Sequence, residues 1–315
     1  MTAELFSSDG RPSDGRAPML SNAAEEVRSE PLTFWRIAWR RLRRDWLTMG
    51  AIAVLAVIAL LSIGAEFIST EILGVDPNAT ELTAMLQPPS AEHRLGTDAL
   101  GRDQLSRLLY GGRISLSIGL LGTVFTIVLG IAIGVAAAYY GGLVDDGIIW
   151  AINTLDAIPA LFLLLVIGSL FELSPFWLTI LFALLGWTFI SRLVRSSTYS
   201  MKEREFVLAA RSIGATDWSI IRRHIVPNVF PVVIIATARS VGNLILAESA
   251  LSFLGFGVQP PTSTWGTMLT KAQQFILLPE ARHLVVAPGV MVAVTVLCLF
   301  IIGDGLRDAM DPHLR

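Results

Sequence analysis

The chain has 315 residues, 53% of them hydrophobic, only 16% charged, and a formal net charge of −2. A soluble domain carries about 25% charged residues, so this balance, with a mean hydropathy of +0.61, excludes an ordinary soluble protein and points to a polytopic membrane protein. Lys202 and Lys271 are the only lysines, and neither stands in a Gly-x-x-x-x-Gly-Lys-Ser/Thr loop, which excludes that kind of nucleotide site in the chain.

Residues 1–31 are rich in Ser, Asp, Gly, Pro and Glu and read as a disordered tail. A cleaved signal peptide is not expected: the first apolar run starts near Trp46 and no small-x-small site follows it. A helix needs about 20 mostly apolar residues to cross a bilayer. The runs predict an all-α protein with six spans, at about 46–68, 114–139, 147–171, 175–193, 228–251 and 283–304. The second is rich in glycine (Gly119, Gly122, Gly130, Gly134), as in closely packed membrane helices. The third carries Asp156 and Pro159, and the fifth carries Arg239 and Glu248. Cys298, the one cysteine, lies in the last run and reads as a buried thiol with no disulfide partner.

Basic residues orient the spans. With six helices, 17 of the 24 Lys and Arg fall on the side holding both termini and the link between the fourth and fifth helices. Six fall on the other side, and Arg239 lies within a span. The first side is therefore expected to be cytoplasmic. Residues 102–112 are expected as a short amphipathic helix on the outer surface, with Arg102, Arg107 and Arg113 near headgroups.

The cytoplasmic link contains "EREFVLAARSIGATDWSIIRRHIVPNVFP", residues 203–231. Phe206, Val207, Ala210 and Ile213 are spaced for one apolar face of a short helix. Gly214 suits the left-handed residue that ends it. Thr216 or Asp217 can cap a second helix, which Pro227 is expected to break. Asp156 and Arg239 lie roughly 14 and 17 Å into the membrane from the same side, at 1.5 Å per residue. Isolated charges at that depth are expensive and seek partners, so the two could pair. Asn153, Asn243 and Glu248 are further polar positions in these spans.

Leu208-Ala209-Ala210, three residues, Gly214, then Ile225-Val226-Pro227-Asn228 resembles the "EAA" motif of bacterial ABC importer permeases. Leu208 stands where that motif has its glutamate, and Glu205 is the nearest upstream acid. "HRLGTDALGRDQLSRLLYGGRISLSIG" (93–119), "ALSFLGFGVQPPTSTWGTML" (250–269), "GDGLRDAMDPHLR" (303–315) and the arginine-rich "FWRIAWRRLRRDWLTMGAI" are similar to the C-type subunit of the dipeptide/oligopeptide/nickel branch. The resemblance covers about residues 32–315.

It implies an N-terminal permease segment over 32–85 and a type I ABC transmembrane domain over 113–307. It implies a bacterial inner-membrane pore subunit with both termini cytoplasmic, importing small peptides, or nickel or another small solute. A second, homologous permease subunit, two ABC ATPases that bind the ATP and Mg, and an external solute-binding protein would be its partners, alongside membrane lipid and no nucleic acid. Glu205, Ala209, Ala210, Arg211, Gly214, Ala215 and Pro227 would receive the ATPase. Asp156, Arg239, Asn243 and Glu248 would line the path or pair within the membrane. Gln259, Pro260, Pro261 and Trp265, in an outer loop expected to be re-entrant, would gate the mouth or meet the binding protein.

No catalytic or metal-binding residues are expected. His93, His224, His283 and His313 are scattered, with no His-Glu-x-x-His and no Gly-x-Ser-x-Gly. A secondary transporter is the remaining alternative, since intramembrane charges suit it, but no internal repeat is visible.

Overall fold

The computed structural model describes residues 31–310, apart from the side chains of residues 31–35 and Glu280. The expected disordered tail falls, but for Pro31, outside the described residues. Among the described residues the regular structure is helical, and Thr97 and Asp103 form an isolated β-bridge.

The arginine-rich stretch forms α1 (Pro31–Leu42), which buries Ala38 and Leu42. Asp45 then caps α2 (Trp46–Ile63) by accepting from the Leu47 N–H at 3.1 Å. Thr48, Ala51, Ile58 and Ser62 form its buried stripe. An irregular stretch leads to Asp103, whose carboxylate accepts from the Ser106 N–H at 2.7 Å and starts α3 (Gln104–Tyr140). α3 is one continuous helix of 37 residues, roughly 55 Å long. The expected separate surface helix over 102–112 is thus not formed. Residues 104–112 are the first turns of α3, because a helix with no proline and a good cap propagates at low cost, and Arg102 lies in the loop before it.

α4 (Gly142–Asp156) and α5 (Ala160–Leu170) are bent by 74° at the break between them. The expected third span is therefore a broken one: Pro159 offers no N–H and clashes with a preceding turn. α6 (Pro175–Met201) runs 27 residues and extends the expected fourth span toward the link. α7 (Glu205–Ser212) and the single turn α8 (Asp217–Ile220) follow. A π-helical stretch, Ile221–Ile225, joins α8 to α9 (Val226–Phe253). Pro227 does not break the helix as expected. It lies inside the continuous helical run Asp217–Phe253, directly after the π-helical stretch Ile221–Ile225, a local widening of the kind that accommodates a proline within a helix. α10 (Trp265–Gln273) is a short helix, and α11 (Arg282–Met310) ends the described chain.

Five helices are long and apolar enough to cross a membrane, or six if the bent pair counts as one span. Glycines let α3 lie close to its neighbours, as small residues do in membrane bundles. A Cβ on Gly119 would meet Ile245 of α9 at 2.7 Å, and one on Gly134 would meet the Ser191 carbonyl of α6 at 2.6 Å. Among the described residues, three of the four buried clusters tie these helices together. One joins α2, α3, α9, α10 and α11; one joins α3, α5, α6 and α9; the third seats the 205–225 segment on α3 and α6.

Candidate functional site

The segment between α6 and α9 is an elbow with two faces. Val207, Ala210, Ile220, Ile221 and Ile225 point inward and pack with Val135 and Tyr139 of α3 and Ile190 and Val194 of α6. The bend is a Schellman arrangement: the Gly214 N–H donates to the Arg211 carbonyl at 3.0 Å, and the Ala215 N–H to the Ala210 carbonyl at 3.0 Å. Gly214 has φ +82°, so the left-handed residue expected there is present. Of the two proposed caps, Thr216 does the work, accepting from the Ser219 N–H at 3.4 Å.

Tyr139 fixes the elbow to the bundle. Its hydroxyl donates to Asp217 at 2.6 Å and accepts from Arg211 at 3.3 Å. Nearby, Lys202 Nζ donates to the Ala138 carbonyl at 2.9 Å. The Tyr139 hydroxyl beside the guanidinium raises the already high pKa of Arg211, so its charge is permanent. The outer face carries large exposed apolar side chains among charged ones: Leu208 is 48% exposed, Trp218 70% and Ile213 87%, beside exposed Arg204, Arg211 and Asp217. Glu205, Ala209 and Gly214 lie on this exposed side, and Pro227 is also exposed. Ala210 is buried and Ala215 packs against the inner cluster, so these two shape the elbow from within.

The intramembrane polar residues take partners other than those expected. Asp156 and Arg239 do not pair with each other. Asp156 lies 2.8 Å from Arg192 of α6, which also donates to Asn153 at 3.1 Å. Arg239 bonds Asp304 of α11. Each charge is met by the helix packed against its own, which is the shortest route to satisfying it. Asn243 is exposed. Glu248 is fully buried, accepting from Ser252 at 2.8 Å and Ser115 at 3.3 Å. Ser115 Oγ in turn accepts from the Trp265 N–H at 3.2 Å. Glu248 therefore sits in a hydroxyl cage joining α3, α9 and α10.

In the outer loop Gln259, Pro260 and Pro261 are exposed, and the Gln259 amide donates to the Gly255 and Gly257 carbonyls at 3.3 and 3.2 Å. Trp265 differs from expectation. It is completely buried, its indole N–H bound to the Leu108 carbonyl at 3.0 Å, so it anchors the loop and offers no surface to another protein. Arg102 and Arg107 likewise leave the membrane surface: they are 6% and 2% exposed and gather around Asp98.

Sequence reasoning missed Tyr139, Asp217 as its acceptor, Asp304, and the Asp145 carboxylate that Arg195 grips through two nitrogens at 2.6 Å each. These partners lie 50 to 78 residues apart, so no local spacing announces them. A tyrosine pair ending a long apolar run at Gly141 was the one visible hint.

Comparison with known proteins identifies the family of the chain. Residues 127–315 match the family model of the binding-protein-dependent transport system inner membrane component, and residues 33–89 that of the N-terminal TM domain of oligopeptide transport permease C. The dipeptide transport system permease protein DppC of Bacillus subtilis is 35% identical over 93% of this chain and 90% of its own. The oligopeptide transport system permease protein OppC of Mycobacterium bovis is 36% identical over 87% of this chain and 94% of its own. Among solved structures, a chain of the MetNI methionine ABC transporter in inward-facing conformations shares the fold, with a TM-score of 0.51 and 17% identity over 65% of this chain and 97% of that one. With its apolar spans and this match over most of its length, the chain belongs to the inner-membrane components of binding-protein-dependent transport systems.

Proposed function

We propose that this chain forms one half of the pore of an ATP-driven importer and passes small peptides received from an external binding protein. As a permease subunit it leaves ATP hydrolysis to partner subunits. The relatives named for dipeptide and oligopeptide transport support peptide cargo. The observation that carries the reading is the elbow at 205–225. Leu208, Ile213 and Trp218 stand exposed among charged residues on its outer face, while its inner face is locked to α3 and α6. A surface of that kind suits insertion into a groove of an ATPase, and its rigid seating would carry the motion into the bundle, the two-state element on which alternating access depends.

In this reading a second, homologous permease completes the pore. Two ATPases bind ATP and Mg, each taking one elbow, and both termini of this chain face the cytoplasm. Glu205, Ala209, Gly214 and the apolar outer residues meet the ATPase. Asp156 with Arg192, and Arg239 with Asp304, are ion pairs beside the path, and Gln259 to Pro261 sit at the outer mouth. The N-terminal segment over 32–85 and the transmembrane domain over 113–307 are its two parts. Reconstitution with its partner subunits and binding protein tests the reading. Peptide uptake that needs both ATP and the binding protein is expected. Uptake driven by a proton gradient without ATP would point to a secondary carrier and end the proposal.

A further inference from the structure

At the end of α3 far from Tyr139, basic side chains gather around a cavity of about 90 Å³. Arg102 comes from the loop before α3, Arg107 from its first turns, Lys271 from α10, and Asp98 from the preceding loop. Arg102 donates to Asp98 Oδ2 through Nε at 2.8 Å and through a terminal nitrogen at 2.5 Å. The Leu100 and Arg102 N–H groups donate to Asp98 Oδ1 at 2.8 and 3.1 Å. Arg107 Nε stands 3.6 Å from Asp98 Oδ2, and a terminal nitrogen donates to the Pro77 carbonyl at 3.3 Å.

One carboxylate thus faces three cations, and both its oxygens are already occupied. Among the described side chains lining the cavity there is no second acid. Burial raises the Asp98 pKa, but the Arg102 guanidinium and the two N–H groups outweigh it and hold the carboxylate ionised. Burial first, then Arg102 and Arg107, bring the Lys271 pKa down to about 8. Buried charge without a counter-charge is strongly unfavourable, and among the described side chains lining the cavity two positive charges are in excess.

We propose that this cavity binds one phosphate group, clamped between Arg102, Arg107 and Lys271. Two excess positive charges match the ~1.5 to 2 negative charges of a phosphate monoanion–dianion pair near pH 7. Beyond the bonds to Asp98 and Pro77, each guanidinium carries a further terminal nitrogen, Nη1 of Arg102 and Nη2 of Arg107, and charged N–H donors make the stronger hydrogen bonds to oxyanions. The cavity has room for a tetrahedral oxyanion but not for a nucleotide. The group has two possible sources. Free phosphate reaches the cavity from solution. A lipid headgroup reaches it from the side, because Arg107 lies seven residues before the charge-free run that begins at Ile114, roughly 10 Å beyond its edge.

The test uses the chain purified with its partner subunits in a phosphate-free sugar detergent. Inorganic phosphate is added in one arm, with chloride at equal ionic strength as control, and phosphatidic acid, whose headgroup is a phosphomonoester, in a second arm. A rise in unfolding temperature of at least about 2 °C is expected, and it is lost in Lys271→Gln. A rise with free phosphate assigns the source to solution; a rise with the lipid alone assigns it to the headgroup. Native mass spectrometry of the wild-type complex is the second measurement and needs no variant: one phosphate-bearing species retained per chain is expected. No rise in either arm with no retained species overturns the proposal, as does a rise that Lys271→Gln leaves intact.

Discussion

Gly214 is the point at which the elbow is most open to perturbation. Its φ is +82°, and a Cβ added there meets no atom within 4 Å. The cost of a side chain is therefore backbone strain alone, and it ranks by residue type. Asparagine tolerates the left-handed region and should behave as wild type. Alanine costs roughly 1–2 kcal/mol there, and valine, which is β-branched, lies at the upper end of about 1–3 kcal/mol. If the chain escapes the strain by abandoning the bend, the population of the docking-competent elbow falls roughly 5- to 30-fold for Gly214→Ala, and further for Gly214→Val. The inner face, with Val207, Ile220 and Ile225 buried, still seats the segment, so membrane yield should hold. The assay is ATP-driven uptake in reconstituted vesicles beside yield and ATPase retention. Expected is normal uptake for Gly214→Asn, reduced uptake for Gly214→Ala and uncoupled ATP hydrolysis for Gly214→Val. Equal impairment of the asparagine and valine variants would refute the conformational argument, and wild-type uptake by Gly214→Val would refute a role for the bend.

Tyr139→Phe removes the hydroxyl that joins Asp217 to Arg211; a loss of about 1–2 kcal/mol in local stability is expected, read as faster amide exchange in residues 211–220 with the spans unchanged. Arg239→Gln should be relieved by Asp304→Asn and not by Asp156→Asn, because Asp304 is the observed partner; complex yield across the double-mutant cycle decides it. Gly134→Val drives a side chain into the Ser191 carbonyl, which a Cβ already meets at 2.6 Å, so α3 and α6 must separate and the folded yield should collapse. Lys271, with its pKa lowered from 10.5 to about 8, should be acylated at a rate that rises with a midpoint near pH 8. Between those two values the unfolded chain keeps a proton that the folded chain has released, so this group favours the folded state increasingly as the pH rises through that window.

Several features were legible in the amino-acid order because their physics is local. Apolar runs set the number and place of the spans, since each must satisfy its own backbone in lipid. Gly214 and Thr216 marked the elbow, because a left-handed turn and a helix cap each depend on one residue's own geometry. The ordered motifs carried the family. Pro159 was visible too, but the size of the break it makes, 74° between α4 and α5, was not. The partners of the charges were not legible. Asp156 and Arg239 looked like a pair by depth, yet depth is one coordinate, and the rotation of each helix about its axis chooses the neighbour. Only packing could decide that Arg192 and Asp304 stand closer. The same holds for Trp265, whose exposed-looking loop folds its ring onto Leu108, and for Arg102 and Arg107, which the sequence places at the surface and the fold draws around Asp98. Local order determined which elements form, while the rotation and close approach of those elements, set by Gly119, Gly130 and Gly134 along α3, decided which side chains meet.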